Sequence, residues 1–387
     1  GDAVRKNPNL KPETTISKEI GAEVRLLDGR LTADVTYYDK YTRDQIVESE
    51  LSYLSNYQRV IINSGKISNK GWEISVSGVP VKVKNFEWKT IFNWSKNNSM
   101  VESLPEGIDK IQIGSGVYNV KSYAEVGKPY GAIYAKTFKR DAEGYILCQL
   151  DGSPKEGQDY EYLGCVQADW RGGWNNVFRL GNFSFSVMFD FQKGGKFFSQ
   201  TSIQSSVDGQ SVKSLEGRDA DFFSRKILGE SDEERYGFMR PQNANTPTAN
   251  GQIYPDWGRP KGVVLPNCRY DEDVEGLAGQ QVLGYCTPER FWMHYTSRDI
   301  SRFIYDASYV KLREITVSYD LPKKWLRKTP FQTFRVAAVG RNIATLFANT
   351  PHGLDPQATS TTGNAQGFER GFNLPSATYG FDIKVSF

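Results

Sequence analysis

Residues 16–41 read ISKEIGAEVRLLDGRLTADVTYYDKY, and this stretch decides the fold class. Apolar side chains occupy most alternate positions in residues 16–26 and again in residues 31–41, on either side of Asp28-Gly29. A period of two residues is that of a β-strand with one apolar face. Asp-Gly is a favoured hairpin turn. The stretch therefore predicts an antiparallel hairpin of two long amphipathic strands.

The same alternation recurs to the end of the chain. It is clear in residues 72–76, 86–94, 183–191 and 379–387. In the segment around 309–319 the apolar phase slips between Leu312 and Ile315, which predicts a β-bulge. The pattern predicts about eleven strands and no helix of comparable strength.

The connections between these segments alternate in length. Short turns join some neighbours, as at Asp28-Gly29 and Gly127-Lys128-Pro129, whereas long polar stretches join others. The long stretches are residues 43–69, 96–110, 139–172, 193–306 and 348–376. Compact soluble domains seldom carry several such loops, whereas outer-membrane barrels have short periplasmic turns and long extracellular loops. We therefore predict an all-β transmembrane antiparallel barrel with a long extracellular loop at 193–306.

The hydropathy fits that prediction. Mean hydropathy is −0.53, and no apolar run approaches the roughly 18 residues of a membrane helix. A barrel strand needs apolar residues only at alternate positions, so a barrel can be hydrophilic on average. The long strands and the final Phe387 also favour a barrel over a secreted β-sandwich that binds glycans or mediates adhesion. Aromatic residues near strand ends add to this: Trp72, Phe86, Trp88, Trp94, Phe183 and Tyr379.

Composition argues against several classes of protein. The chain has 48 basic and 45 acidic residues and a net charge of +3, without the basic patch of a nucleic-acid-binding protein. Its two histidines, His294 and His352, lie in predicted loops, so we expect no catalytic triad, cofactor or metal centre. The acidic run at 271–275 is more typical of a solvated loop than of a cation site. We expect no enzyme activity.

The four cysteines form two local pairs in sequence, Cys148 with Cys165 and Cys268 with Cys286. Their even number and polar, turn-rich surroundings predict two loop disulfides and an oxidising compartment. The alternative is four free, buried thiols.

The longest loop also carries five aromatic residues among polar groups. They are Tyr254, Trp257, Tyr270, Trp292 and Tyr295. Aromatic faces can stack on sugar rings and dominate many binding surfaces, so these residues are the candidate substrate-binding set. The alternative is that they pack in a small core of the loop itself or contact a partner protein.

Several motifs, in order along the chain, resemble one family. They are NPNLKPE at 7–13, VTYYDK at 35–40, NKGWE at 69–73, VGKPYG at 126–131, GWNN at 173–176, NFSFS at 182–186, ASYVKLR at 307–313, YDLP at 319–322 and NLP at 373–375. Together they are similar to motifs of the SusC-like (RagA-type) TonB-dependent outer-membrane transporters of Bacteroidetes. The motifs extend over almost the whole chain.

This resemblance implies a larger protein. Such transporters have 22-stranded barrels with an N-terminal plug, so residues 1–387 resemble the C-terminal half of a barrel, about 11 of its 22 strands. The first residues have no signal peptide, which fits a processed or partial chain. The implied partners are the remaining half of the barrel, outer-membrane lipid, TonB acting through the plug, and a SusD-like lipoprotein.

The function that the resemblance implies is TonB-dependent import of a nutrient across the outer membrane, with an oligosaccharide as the expected substrate. Oligopeptide import by the same architecture is the first alternative, and a passive porin is another. The chain departs from the family at 150–159, LDGSPKEGQD, where members often carry a loop with calcium-like carboxylate spacing. The second acidic residue is absent, so calcium binding is not expected there.

Overall fold

The computed structural model describes the chain apart from residues 1–3, 6, 51–56, 58, 116–117, 216–262, 287, 352, 359–365 and 372–375. The described strands are β1 (Val4–Arg5), β2 (Thr14–Leu26), β3 (Leu31–Glu50), β4 (Arg59–Val83), β5 (Phe86–Ser103), β6 (Lys110–Ser115), β7 (Lys121–Glu125), β8 (Ala132–Phe138), β9 (Ile146–Cys148), β10 (Glu156–Cys165), β11 (Trp170–Leu180), β12 (Phe183–Lys193), β13 (Lys196–Ser199), β14 (Val263–Tyr270), β15 (Gln281–Cys286), β16 (Ile304–Asp306), β17 (Tyr309–Asp320), β18 (Thr333–Ala348), β19 (Phe368–Glu369) and β20 (Thr378–Ser386).

The described helices are all short. They are α1 (Gln200–Val207), α2 (Pro288–Arg290), α3 (Lys323–Leu326), two 3₁₀ turns at Val212–Leu215 and Ile300–Phe303, and a π-turn at Phe291–Tyr295. In the part of the chain that is described, no helix combines the length and the apolar character that crossing a membrane requires.

Nine long antiparallel strands form one large sheet in the order β2-β3-β4-β5-β11-β12-β17-β18-β20, and β1 pairs with β4 in parallel. The first and last strands of this order, β2 and β20, each have one neighbour among the described residues, so the sheet is open. The predicted all-β barrel fold is confirmed, as a partial barrel.

The large sheet has nine long strands, where the sequence predicted about eleven. The turn at Gly127-Lys128-Pro129 joins β7 and β8, which belong to a separate four-stranded sheet in the order β10-β8-β7-β6. With 5 and 7 residues, β7 and β8 are shorter than the roughly nine to eleven residues of a membrane strand. Alternation shows that a segment is a strand but does not show which sheet it joins.

The predicted first hairpin is confirmed, and its register pairs Ile20 with Tyr37 and Val24 with Ala33, which places these side chains on one face. Its turn spans residues 27–30 and is closed by the Arg30 N–H, which donates to the Leu27 carbonyl at 3.0 Å. The predicted bulge on β17 is also confirmed, as a register shift between Leu312 and Glu314.

Connections of two contrasting lengths define the two ends of the sheet. At one end, here called the turn end, residues 27–30, 84–85, 181–182 and 321–332 join β2–β3, β4–β5, β11–β12 and β17–β18. At the other end, the loop end, the connections that follow β5, β12 and β18 are much longer and supply the strands of the small sheets. Strands β3 and β4, with 20 and 25 residues, are long enough to project beyond a bilayer at the loop end.

The two faces of the large sheet differ in chemistry. One, here called the apolar face, carries exposed Ile20, Trp72, Phe183 and Phe381. A β-sandwich would cover such a face with a second sheet about 10 Å away. Among the described residues no sheet covers it, and the sandwich alternative is therefore wrong.

Indole N–H groups on the apolar face have partners within the sheet. The Trp88 Nε1 donates to the Asn176 Oδ1 at 3.0 Å, and the Trp174 Nε1 donates to the Thr90 Oγ1 at 2.9 Å. An indole N–H that is removed from water needs an acceptor, and these two find one within the sheet. This explains the polar residues Thr90 and Asn176 on an otherwise apolar surface.

On the opposite face, here called the polar face, the ring of Tyr38 crosses a glycine. Gly71 pairs with Tyr38 on one side and with Asn97 on the other. The Tyr38 hydroxyl donates across it to the Asn97 Oδ1 at 3.1 Å. A Cβ at position 71 would lie 2.4 Å from the Tyr38 hydroxyl oxygen and 2.3 Å from the Lys96 carbonyl oxygen. Only glycine leaves room for this contact.

We predict that Gly71→Ala lowers the free energy of unfolding by about 1–3 kcal/mol, the usual cost of overpacking. Gly78→Ala on the same strand is the matched control, because a Cβ there meets its nearest atom at 3.6 Å. Thermal unfolding of the intact protein measures both. Equal stability of the two variants would contradict the proposed contact.

Candidate functional site

Strand β5 continues towards the loop end beyond its neighbour β11. Its pairing with β11 ends at Ser95, opposite Arg171, whereas its pairing with β4 continues to Ser103. Further out, Val101 exchanges backbone hydrogen bonds with Gly127 and Lys128. Between Ser95 and Val101, no strand of the described chain covers this edge of β5. We call the resulting gap the wall cleft.

Backbone hydrogen-bonding groups point into the wall cleft. The N–H and C=O of Val101 face away from β4, because they bond to the turn at residues 127–128. In an antiparallel strand the direction of these groups repeats every two residues. The pairing of β4 with β5 is continuous from residue 96 to 101. The N–H and C=O of Asn97 and Ser99 therefore also face the gap.

Two adjoining cavities occupy the wall cleft. The larger has a volume of about 630 Å³ and is lined by Asn97, Asn98, Ser99, Met100, Pro129, Tyr162, Gly164, Cys165, Gln167, Ala168, Asp169, Gly194, Gly195, Lys196 and Asp306. The smaller, about 250 Å³, shares Asn97, Gln167 and Ala168 with it and reaches Arg171 and Gln366. The larger volume lies in the usual range of ligand pockets.

A glycine pair builds the far wall of the cleft. Gly194 and Gly195 have φ of +73° and +85°, a conformation that favours glycine. The Gly194 N–H donates to the Ser308 Oγ at 2.8 Å, which ties the end of β12 to the start of β17. A Cβ at position 194 would lie 2.3 Å from the Asp169 Oδ2, so the Asp169 carboxylate lies against this backbone. The pair turns the chain out of the barrel wall.

The wall cleft has the chemistry of a polar binding site. Its backbone edge offers donors and acceptors, and Asp169 and Lys196 add charges of both signs. Burial raises the pKa of the Cys165 thiol, so the one cysteine among the lining residues is a protonated thiol at neutral pH. The arrangement can hold a polar ligand by hydrogen bonds.

The predicted aromatic set does not lie in the cleft. Tyr254 and Trp257 fall outside the described residues. Tyr270, Trp292 and Tyr295 are buried in a cluster of loop residues, here called the loop core: Phe138, Ile146, Cys148, Val263, Leu265, Cys268, Tyr270, Val274, Leu277, Val282, Cys286, Phe291, Trp292 and Tyr295.

Two of these three aromatic rings are covered by the chain's own side chains. The ring of Phe291 packs edge-on against Trp292 with centroids 5.2 Å apart. The Arg290 and Arg298 guanidinium carbons lie 5.4 Å and 4.8 Å from the centre of the Tyr295 ring. Tyr270, Trp292 and Tyr295 therefore lie where the alternative interpretation placed them, in a small core of the loop itself.

The structure contradicts the predicted disulfides, because none of the four cysteines is disulfide-bonded. Cys268 pairs with Val282, four residues from Cys286, which separates the two by about 13 Å along the hairpin. Cys148 and Cys165 lie in different sheets.

Cys148 lies instead beside Cys268, offset by two residues on a parallel strand. Cys148 is paired with Tyr270 rather than with Cys268, and the two neighbouring thiols form no disulfide. The neighbouring Cys268 thiol and burial raise the pKa of Cys148, and burial raises that of Cys286 to about 12. Neutral, buried thiols suit the apolar loop core.

The loop carboxylates are held by cations of the chain. The Asp271 carboxylate accepts from the Lys139 Nζ at 2.9 Å and from the Lys155 Nζ at 2.6 Å. Although burial opposes it, these two ammonium groups lower the pKa of Asp271 to about 2. The Asp151 carboxylate forms a 2.8 Å ion pair with the Arg290 guanidinium. Asp151 lies in the loop 150–159, where the sequence predicts no calcium site. No group of three or more potential metal ligands occurs in the described part of the chain.

Sequence reasoning missed the residues of the wall cleft. Asn97, Ser99 and Gln167 read as ordinary polar residues of a strand end and a loop. The gap between β5 and β11 follows from where β11 begins, at Trp170. The glycine pair at 194–195 was the available signal, because two adjacent glycines after a strand often mark a special backbone turn.

Known proteins resemble the chain over nearly its whole length. Residues 1–343 match the family described as TonB dependent receptor-like, beta-barrel. The TonB-dependent receptor P3 of Formosa agariphila is 25% identical over 96% of this chain and 33% of that receptor. The TonB-dependent receptor SusC of Bacteroides thetaiotaomicron is 29% identical over 27% of the chain and 10% of that receptor.

A solved structure shares the fold. The structure of the RagAB peptide transporter superposes with a TM-score of 0.63 at 17% identity, covering 98% of this chain and 36% of that one. The chain thus spans about a third of the length of the receptor P3 and of this transporter chain.

We predict that all four cysteines are reduced and that none is in a disulfide. Alkylation of the unfolded protein without reductant should modify Cys148, Cys165, Cys268 and Cys286, as read by peptide mass spectrometry. In the folded protein Cys165 should react first, because the other three are buried. A disulfide-linked peptide pair would contradict the structure.

We also predict an acid transition in the loop core. Since the pKa of Asp271 is lowered from 3.8 to about 2, its stabilising contribution is complete above about pH 4 and is lost as the pH falls towards 2. The thermal midpoint of the loop core, followed by fluorescence, should fall over that window. In Asp271→Asn the fall should be smaller and the midpoint already lower at pH 6. Identical pH profiles would refute this assignment.

Proposed function

The chain belongs to the family of TonB-dependent receptor-like β-barrels, which lie in the bacterial outer membrane, and on this premise we propose that it is part of a nutrient importer. In this proposal residues 1–387 supply the C-terminal half of the barrel. Residues 193–306 are an extracellular loop, whose described parts contribute α1, β13, β14 and β15. The barrel performs no chemical step on its cargo.

The two open edges of the large sheet support the proposal that further barrel strands pair with β2 and β20. In lipid every backbone N–H and C=O needs a hydrogen bond, and β2 and β20 each present an edge without a described neighbour. The remaining strands of the barrel would pair with both edges. Relatives about three times as long as this chain have room for those strands and for a plug.

Energy and capture require further partners in this proposal. TonB would act through a plug outside this chain, and a SusD-like lipoprotein would cover the loop end. The family match supports TonB, and the similar solved structure is that of the RagAB peptide transporter. A passive porin would conduct ions without TonB, whereas a plugged barrel is closed at rest.

The wall cleft favours an oligopeptide as cargo over the oligosaccharide that the sequence suggested. Asn97 and Ser99 point N–H and C=O groups into it, the groups that pair with an extended peptide. Burial of Tyr270, Trp292 and Tyr295 also removes three of the aromatic residues offered for sugar stacking. The strand edge is the observation that carries this preference.

Oligosaccharide import is the second candidate, and one residue favours it. Tyr162 lines the wall cleft and is 41% exposed; the Lys128 Nζ lies 4.2 Å from the centre of its ring, so the exposed part of the ring is what a sugar could contact. Asn98 and Gln167 in the same lining can bond hydroxyl groups.

A pair of substitutions separates the two candidates. Ser99→Pro removes the N–H that faces the cleft without removing a bond to β4, and proline is tolerated at such an edge. Ser99→Ala keeps the N–H and is the matched control. The intact transporter is incubated with a defined mixture of oligopeptides and neutral oligosaccharides, and retained ligands are identified by mass spectrometry.

We expect wild type and Ser99→Ala to retain peptides and Ser99→Pro to lose at least about tenfold in peptide affinity, the effect of about one lost backbone hydrogen bond to a bound ligand. Retention of oligosaccharides, lost in Tyr162→Ala and kept in Ser99→Pro, would establish the second candidate instead. Retention of neither would refute the wall cleft as a cargo site.

A further inference from the structure

A cluster of lysines lies on the apolar face near the loop end of β2–β5. In the strand register Lys18 of β2 lies opposite Asp39 of β3, and Asp39 lies opposite Lys70 of β4. Lys96 lies opposite Trp72, diagonal to Lys70. We call Lys18, Lys70 and Lys96, with Asp39 among them, the lysine cluster. These four charged residues lie on the same face as the exposed apolar residues nearer the turn end.

The lysine cluster begins where an aromatic band ends. Two residues nearer the turn end on each strand, the same face carries Ile20, Tyr37 and Trp72. The Tyr37 and Trp72 rings lie 4.9 Å apart. Tyr and Trp mark the membrane–water interface of barrels. The lysines are therefore at the level where lipid headgroups begin, on the side of the long loops.

The charge of this region is positive and only partly neutralised by the chain. The Lys70 Nζ lies 3.1 Å from the Asp39 Oδ2. In the described part of the chain, Lys18 and Lys96 form no ion pair. Further towards the loop end on the same face, Lys66 pairs with Glu102, and Arg43 lies over the Tyr41 ring at 5.1 Å. Five basic side chains thus face outward with two carboxylates.

The ion pair between Lys70 and Asp39 accounts for one lysine and leaves two ammonium groups facing the headgroup layer. A basic cluster beside lipid attracts anionic headgroups, and phosphate is the anion that membrane lipids supply at this depth. Long lysine side chains can keep their stems on the apolar surface and extend the ammonium to the phosphate.

We propose that the lysine cluster is a binding site for the phosphate groups of a lipid headgroup in the outer leaflet. The lipid lies with its acyl chains along the Tyr37–Trp72 band, and its phosphate is held between Lys18, Lys70 and Lys96. This inference rests on the membrane location in the proposed function but not on import or on the identity of the cargo.

The test measures lipid binding to the intact transporter in detergent by native mass spectrometry. The probes are lipid A that carries its phosphates and the same lipid after dephosphorylation, with inorganic phosphate as a competitor. The variant Lys18→Gln/Lys70→Gln/Lys96→Gln removes the site. The control variant Lys40→Gln/Lys89→Gln/Lys384→Gln removes the same charge from exposed lysines on the polar face.

We expect wild type to prefer the phosphorylated lipid, the cluster variant to bind it about 100-fold more weakly, and the control variant to bind it as wild type does. Asp39→Asn should bind about fivefold more tightly, because it removes the carboxylate that competes for Lys70. A gain of affinity cannot come from misfolding.

Equal binding of the two lipids by wild type would overturn the inference, as would equal losses in the two triple variants. Displacement by millimolar inorganic phosphate would indicate a site for free phosphate and would overturn the lipid assignment. Failure of membrane insertion would show instead as a protein that is soluble without detergent, which separates failure of the proposed function from failure of the lipid site.

Discussion

Every backbone N–H and C=O in a strand that crosses lipid must bond to a neighbouring strand, and the large sheet depends on this constraint. From β2 to β20 the ladder runs antiparallel through nine strands. Where the ladder is complete, side chains alone distinguish the two faces. Where the ladder stops, backbone N–H and C=O groups are available to bind a partner. This occurs at the two open edges, which need partner strands, and at the wall cleft, where β11 does not reach Asn97 and Ser99 of β5 and no other described strand pairs with that edge.

Outside the membrane the same chain folds by ordinary burial. The loops between long strands form three small sheets and pack apolar clusters of their own. Val47, Ile67 and Val101, at the loop ends of β3, β4 and β5, pack with Ile111 and Ala124 of the four-stranded sheet. The loops are therefore anchored to the barrel wall, and the wall cleft keeps a defined shape between them.

The position of Cys268 illustrates how register overrules spacing. It is 18 residues from Cys286 in sequence, yet the β14–β15 pairing places it opposite Val282 and beside Cys148, 120 residues away. The aromatic residues follow the same logic. Tyr270 and Trp292 have the composition of a binding surface, but both are buried among the other apolar residues of the loop core.

The sequence by itself determined most of the long strands, their faces, the β17 bulge and the short turns, because these depend on a period of two residues and on local turn chemistry. It was wrong about the long connection at 43–69, because most of those residues extend β3 and β4. Family motifs added the type of barrel. The tertiary structure decided which strands pair, that β7 and β8 leave the wall, that neither cysteine pair predicted from spacing is brought together, and that Asn97, Gln167 and Lys196 share one cleft. These features depend on contacts between segments far apart in sequence, and no periodicity within one segment records its partner.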